Sequence, residues 1–229
     1  MRDASLDLLV DLARPTSHDT VLDYATGAGM AGFSVAPDVS TVEAADELPD
    51  MLEEGKRLGA ELGLVNVAFT LVDLYALPYK DGAFTLVVCR NAFHLLPEPA
   101  AALAELLRVL SPGGRIVLLD PIVDETTDKA FNEIARLREP AHRRHYQAGE
   151  LDEIVQRAGL SVRQRDTLRR TIDLDYWLQA AAVPPPKADL IRGRFKALPV
   201  EVQAAMDVAF SDRLVSFSYD LAGLRLERA

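Results

Sequence analysis

The chain has 229 residues, 49% hydrophobic and 26% charged, with a formal net charge of −10 and a single cysteine. That length suits one substantial core and one α/β domain spanning 1–229, while the acidic excess excludes nucleic acid and anionic membrane surfaces as expected partners. Lone Cys89 excludes an internal disulfide or a multi-thiol metal site, and without a secretory signal or a run of about 18 apolar residues the expected location is cytoplasmic.

Taken in order, Ser5 to Leu12 places Leu6, Leu9, Val10 and Leu12 on one side of a helix that Pro15 ends. Val21 and Leu22 open a buried strand, and Gly27 and Gly29 then allow a sharp turn into a helix from Met30 to Ala36. Backbone N–H groups at that helix start form a cradle for a nucleotide-like ligand. A second strand is predicted from Ser40 to Ala45, with Asp46 at its end, seventeen positions after Gly29. There an acid can accept from both hydroxyls of a ribose. Leu48 to Leu62 reads as a helix with Pro49 in its first turn and Gly63 past its end. Gly55 and Gly59 interrupt it, so the face carrying Met51, Leu58 and Leu62 is expected against the sheet.

Val67 to Val72 is the third strand, followed by Asp73-Leu74-Tyr75-Ala76-Leu77-Pro78. Phe84 to Cys89 has the apolar run of a central parallel strand. Arg90-Asn91-Ala92-Phe93-His94 leaves it at the carboxyl edge, where open α/β sheets bind ligands. A helix opened by Pro97 carries Leu103, Leu106, Leu107 and Leu110, and Ser111-Pro112-Gly113-Gly114-Arg115 turns into a strand from Ile116 to Leu119. Further helices are expected at Asp128 to Arg138, Gly149 to Ala158, Asp173 to Ala182 and Val200 to Ala209, with Pro184-Pro185-Pro186 as a breaker. Strands are expected at Ser161 to Asp166 and near Arg213 to Tyr219. Two basic clusters, Arg136 to His145 and Arg163 to Arg170, read as solvated faces.

Gly27-x-Gly29-x-x-Gly32 satisfies the dinucleotide fingerprint, which leaves a nicotinamide-dependent oxidoreductase open. Asp23 argues otherwise: a carboxylate at the mouth of the loop suits a cationic ligand better than a pyrophosphate. With Asp23 before the glycine turn and Pro-Gly-Gly-Arg before the fifth strand, the stretch from Val21 to Asp120 resembles class I S-adenosylmethionine-dependent methyltransferases. The likeness is strongest to the small-molecule enzymes of ubiquinone and menaquinone biosynthesis. Ala25 replaces the family's first glycine, and Thr85 stands where the family commonly has Asp.

The resemblance implies a Rossmann-like doubly wound sheet, order 3-2-1-4-5-7-6, with an antiparallel last strand. It assigns 1–120 to the cofactor and 121–229 to substrate-covering helices. S-adenosylmethionine is the implied cofactor, held by Asp23, Ala25, Thr26, Gly27 and Gly29, by Asp46, Glu47 and Met51, by Asp73 and Leu74 around adenine, and by Arg90 and Asn91. The partner is a small-molecule acceptor, and oligomeric state is left open. His94 is the candidate base or acceptor-positioning group, with His142, His145 and Tyr146 as candidate substrate contacts. Their spacing fits no metal motif. About twenty residues precede the first strand, fewer than the family's usual N-terminal helices occupy. The cover is therefore expected from residues 138–146, from a partner, or from a segment of a longer protein. A noncatalytic methyltransferase-like binding protein is the third reading.

Overall fold

The computed structural model describes residues 3–211 and 215–229. Their organising element is one sheet in which parallel strands β1 (Thr20–Tyr24), β2 (Thr41–Asp46), β3 (Val67–Leu71), β4 (Phe84–Arg90) and β5 (Leu110–Val123) are joined by helical crossovers, except that a loop over 72–83 links β3 to β4. Two strands of fourteen residues complete it, β7 (Leu160–Asp173) and β9 (Val215–Arg228). Strand β9 runs antiparallel between β5 and β7. Counting the two-residue pairings β6 (Tyr146–Gln147) and β8 (Ala209–Phe210), which lie off the main path, the order is 3-2-1-4-5-9-7. The arrangement of long strands is the expected one; the numbering changes because these short pairings carry no periodicity.

Side chains alternate between the two faces along each strand. Leu22, Tyr24, Val87, Cys89, Ile116 and Leu118 bury one face against α4 (Pro99–Val109) and α6 (Ala148–Arg157). Val21, Leu86, Val88, Val117 and Leu119 bury the other against α1 (Ala4–Ala13) and α2 (Met30–Val35). A third cluster lies beyond the carboxyl end of β5, where α5 (Asp128–Arg138), α7 (Leu174–Ala180), α8 (Pro185–Lys196) and α9 (Val200–Ala205) pack on Phe217, Tyr219 and Leu221 of β9.

Several local expectations change. In α3 (Pro49–Glu61) the buried face is Leu52, Gly55 and Gly59, with Met51 and Leu62 exposed. A Cβ on Gly55 would lie 2.4 Å from the Phe69 ring, so this glycine permits the approach of α3 to β3. The tri-proline separates two helices as expected, and it also opens the second, which the sequence reading missed: Pro185 and Pro186 occupy the first turn of α8, where no N–H is missed. Ser111 to Gly114 forms an irregularity within β5 rather than a turn before it, since Phe84 pairs with Leu110 but Leu86 with Arg115. Helix α9 ends at Ala205, short of Ala209. The predicted final strand is longer than expected, and its first predicted residues, 213–214, lie outside the described residues.

Candidate functional site

The turn after β1 places Ala25, Gly27 and Gly29 at φ of 54°, 56° and 92°. Gly29 tolerates this without strain and leaves the helix start open; a Cβ there would sit 2.6 Å from Phe33. Ala25 holds the same left-handed region with a Cβ, a conformation that costs a non-glycine residue about 1–2 kcal/mol. Gly32 has a different task. Its Cβ would lie 2.9 Å from both Asp23 Oδ2 and Val42, so it lets α2 pack on the strands.

Asp23 is buried beneath this loop, not at its mouth. Oδ2 accepts from Thr26 Oγ1 at 2.5 Å and Gly32 N at 2.7 Å, whereas buried Oδ1 has no partner among the described residues. Burial raises its carboxyl to about 6, against the pull of those hydrogen bonds. Asp46 closes the loop from the neighbouring strand, Oδ2 accepting from Gly27 N at 2.7 Å and Oδ1 from Leu48 N at 3.0 Å. A carboxylate has about four acceptor positions, so two remain for a ribose. Glu47 is exposed at this edge, and the Met51 methyl reaches to 3.4 Å of the position a Gly27 Cβ would take. Asp73 is exposed with Oδ1 accepting from Tyr75 N, and Leu74 is buried with its carbonyl accepting from the Tyr24 hydroxyl.

At the end of β4, Asn91 adopts φ 54° and its buried Oδ1 has no partner among the described residues. Asn91 Oδ1 and Asp23 Oδ1 are therefore two unpaired acceptors. They suit a ligand that brings N–H donors and positive charge, as an adenosyl amino acid does. A pyrophosphate, an acceptor with negative charge, would leave both unpaired beside two carboxylates. Arg90 is placed otherwise than expected. Its guanidinium turns to the start of α1, donating to Asp3 Oδ2 at 2.5 Å and Ser5 Oγ at 2.8 Å.

Arg90, Asn91 and His94 also line a cavity of about 300 Å³ that continues to Arg138, Glu139, His142 and His145. His94 is buried, with Nδ1 2.8 Å from Asp120 Oδ1, while Asp120 Oδ2 accepts from Phe93 N at 2.9 Å. The His94 carbonyl accepts from Arg143 N and Arg144 N, which pins the covering segment to the exit of β4. Buried Asn132 organises the other histidines: Oδ1 lies 2.8 Å from His142 Nε2 and accepts from His145 N, and Nδ2 donates to the His145 carbonyl. Burial, reinforced by His94 and nearby arginines, lowers His142 to about 3 and His145 well below the ordinary imidazole range. Both are neutral bases at pH 7.

Tyr146, by contrast, does not line the cavity; its ring packs against Phe93, centroids 5.9 Å apart, and its backbone pairs with β5. Sequence reasoning missed Asp3, Phe131, Arg170, Trp177 and Tyr219, all in the cavity wall. It also misread the basic clusters as solvated, whereas Arg138 and Arg170 point inward and Arg144 bridges Asp128 and Glu150. The inward alternation of Arg170 and Ile172 along β7 was the available signal. No metal motif was legible, yet the fold brings one ligand-type atom each from His94, Asp120 and His145 within 4.8 Å of one another. The His94–Asp120 hydrogen bond accounts for two of these three groups. Among the described residues, no helix is long and apolar enough to cross a membrane.

The chain is 28% identical over 181 residues to the uncharacterized methyltransferase YcgJ of Bacillus subtilis, covering 78% of this chain and 72% of that protein. It is 40% identical over 114 residues to a demethylmenaquinone methyltransferase of Thermus thermophilus, 48% of this chain and 51% of the relative. The crystal structure of the Bacillus subtilis YcgJ protein superposes with a TM-score of 0.91 at 25% identity over 99% of both chains. The [4+2]-cyclase SpnF, TM-score 0.69 at 20% identity over 97% of this chain and 79% of that one, shares the fold alone. The methyltransferase domain family matches residues 15–159, from the end of α1 through β1, the glycine turn and the histidine cover, and the chain belongs to that family.

Proposed function

We propose that this methyltransferase uses S-adenosylmethionine to methylate a small molecule held against His94. The observation that carries the reading is the meeting of two features at the end of β4. Asn91 carries a buried acceptor without a partner among the described residues, and three residues later His94, oriented by Asp120, lines the same cavity.

The cofactor, when bound, supplies an already activated methyl group. The glycine turn and Asp46 would hold the nucleoside, with Met51 over the loop, Asp73 and Leu74 at the adenine end, and Asp23 and Asn91 toward the amino-acid end. His94 Nδ1 faces Asp120, which favours a proton on Nδ1 and leaves Nε2 basic. Nε2 can then take a proton from an acceptor hydroxyl or amine as it attacks, and Asp120 stabilises the resulting imidazolium. Residues 139–145 exclude water above the site. Most of the rate enhancement would come from alignment, with the base needed only for a protonated acceptor.

Buried Asp23 and the Pro-Gly-Gly-Arg stretch before Ile116 disfavour the oxidoreductase alternative, whereas Asp46 would serve a ribose in either, and the His94–Asp120 pair disfavours a purely noncatalytic one. A cytoplasmic location is supported by the free, buried Cys89. Calorimetry decides the cofactor: S-adenosylhomocysteine should bind and NADH should not. NADH binding without either adenosyl ligand overturns the reading.

A further inference from the structure

Resting on the methyltransferase reading, the geometry points to a carboxylate-bearing acceptor: we propose that Arg138 and Arg170 form an anion subsite in the wall of the cavity that His94 also lines. The chain as a whole is acidic, yet this wall carries three guanidiniums, Arg90, Arg138 and Arg170, against two carboxylates, Asp3 and Glu139. His142 and His145 are neutral and add no charge. Buried Asp120 behind His94 brings the carboxylates to three, but it is committed to the His94 ring and Phe93 N, so what the wall offers a ligand is guanidinium N–H groups left without a carboxylate of their own.

The three arginines are not equally engaged. Arg90 is turned to the start of α1, with Nε and Nη2 committed to Ser5 and Asp3. Arg138 donates Nε to the Trp177 carbonyl and Nη1 to Glu139, and its guanidinium carbon lies 4.5 Å over the Trp177 ring, so the plane is fixed while Nη2 stays uncommitted among the described residues. Arg170 donates no hydrogen bond to another described residue. Its nearest carboxylate is Asp3 at 3.6 Å, and its side chain is only 23% exposed. Buried guanidiniums keep their charge and five donors, so these unused N–H groups match a bidentate carboxylate. Phe131, Trp177 and Tyr219 supply apolar wall for the body of the same molecule.

The test uses full-length protein saturated with S-adenosylhomocysteine and matched probes, benzoate against benzamide and 2-naphthoate against 2-naphthamide, by calorimetry. Each acid should bind at least about tenfold more tightly than its amide, the lower end for a hydrogen bond to a charged group. Arg170→Gln and Arg138→Gln should each erase most of that preference, Arg170→Lys should keep part of it, and cofactor affinity should stay unchanged. Equal binding of acids and amides, or a preference that survives both Gln variants, overturns the inference while leaving the cofactor reading intact. Failure of S-adenosylhomocysteine itself to bind defeats the methyltransferase reading and this subsite with it. Thermal melts of the variants separate a lost subsite from a lost fold.

Discussion

His94 Nδ1 lies 2.8 Å from Asp120 Oδ1, and both side chains are withdrawn from solvent. They come from the ends of adjacent parallel strands, β4 and β5, so the pair is created by strand register: Arg90 pairs with Leu119, and Asn91 N donates to the Leu119 carbonyl. Asp120 is further fixed by Phe93 N. An imidazole held from one nitrogen presents the other in a fixed direction.

His94→Gln should lower turnover, read as S-adenosylhomocysteine release, by about 10²–10⁴ with a protonated acceptor, the range for general base catalysis. Cofactor affinity should be unchanged. Asp120→Asn should lose less, because the ring stays in place while the amide no longer stabilises an imidazolium. Wild-type turnover in a folded His94→Gln protein removes the histidine from the chemistry.

Asp46→Ala should weaken S-adenosylhomocysteine binding by about 1.5–3 kcal/mol, the value of hydrogen bonds to a charged group. The structure adds a second cost. Asp46 also accepts from Gly27 N and Leu48 N, so the variant should be about 1–3 kcal/mol less stable by urea titration. An unchanged dissociation constant in the folded variant argues against a ribose role.

Arg115, which follows the Pro-Gly-Gly irregularity of β5, is bonded through two nitrogens to buried Asp19, at 3.0 and 2.8 Å, and Thr85 Oγ1 donates to the same carboxylate at 2.7 Å. Arg115→Met should cost about 3–5 kcal/mol, since it strands a buried charge. Thr85→Asp, the family's common residue, should also destabilise, because two carboxylates would then share one guanidinium. Urea midpoints at pH 7 check both, and a neutral Thr85→Asp would show that Asp19 is not committed as described.

Acid should destabilise the fold through the histidine cover. His142 at about 3 and His145 well below its ordinary value take up protons more readily unfolded than folded. Their contributions are therefore intact above about pH 6.5 and fall as the pH drops below it, that of His142 down to about pH 3, at up to about 1.4 kcal/mol per pH unit for each. Asp23, raised to about 6, slopes the other way between its unfolded value near 3.8 and 6. Asp19, held below the usual carboxylate range by its hydrogen bonds and Arg115 against the opposing effect of burial, loses its contribution only in stronger acid. His145→Gln should be less stable at pH 7 yet show a flatter stability curve between pH 4.5 and 6.5. An equally steep curve would assign the acid sensitivity to other groups.

What the sequence determined by itself was local and periodic. Consecutive apolar residues such as Val21 and Leu22, or Val87 and Val88, announced strands buried on both faces, and the Gly27–Gly32 spacing announced a strand-turn-helix unit. Asp46 and Asp73 could be placed because each closes a strand at a known distance along the chain. The acceptor cavity had no such signature. Asp3, His94, His142, Arg170 and Tyr219 come from five separate stretches of chain. Whether an arginine in a basic run faces water or a cavity depends on which element packs across from it. Arg169 pairs with Asp207 and Asp220 on the surface, while its neighbour Arg170 turns inward, because consecutive residues of β7 point to opposite faces. Only the insertion of β9 between β5 and β7, with α5 and α7 folded over that edge, decided which face became the wall of a site.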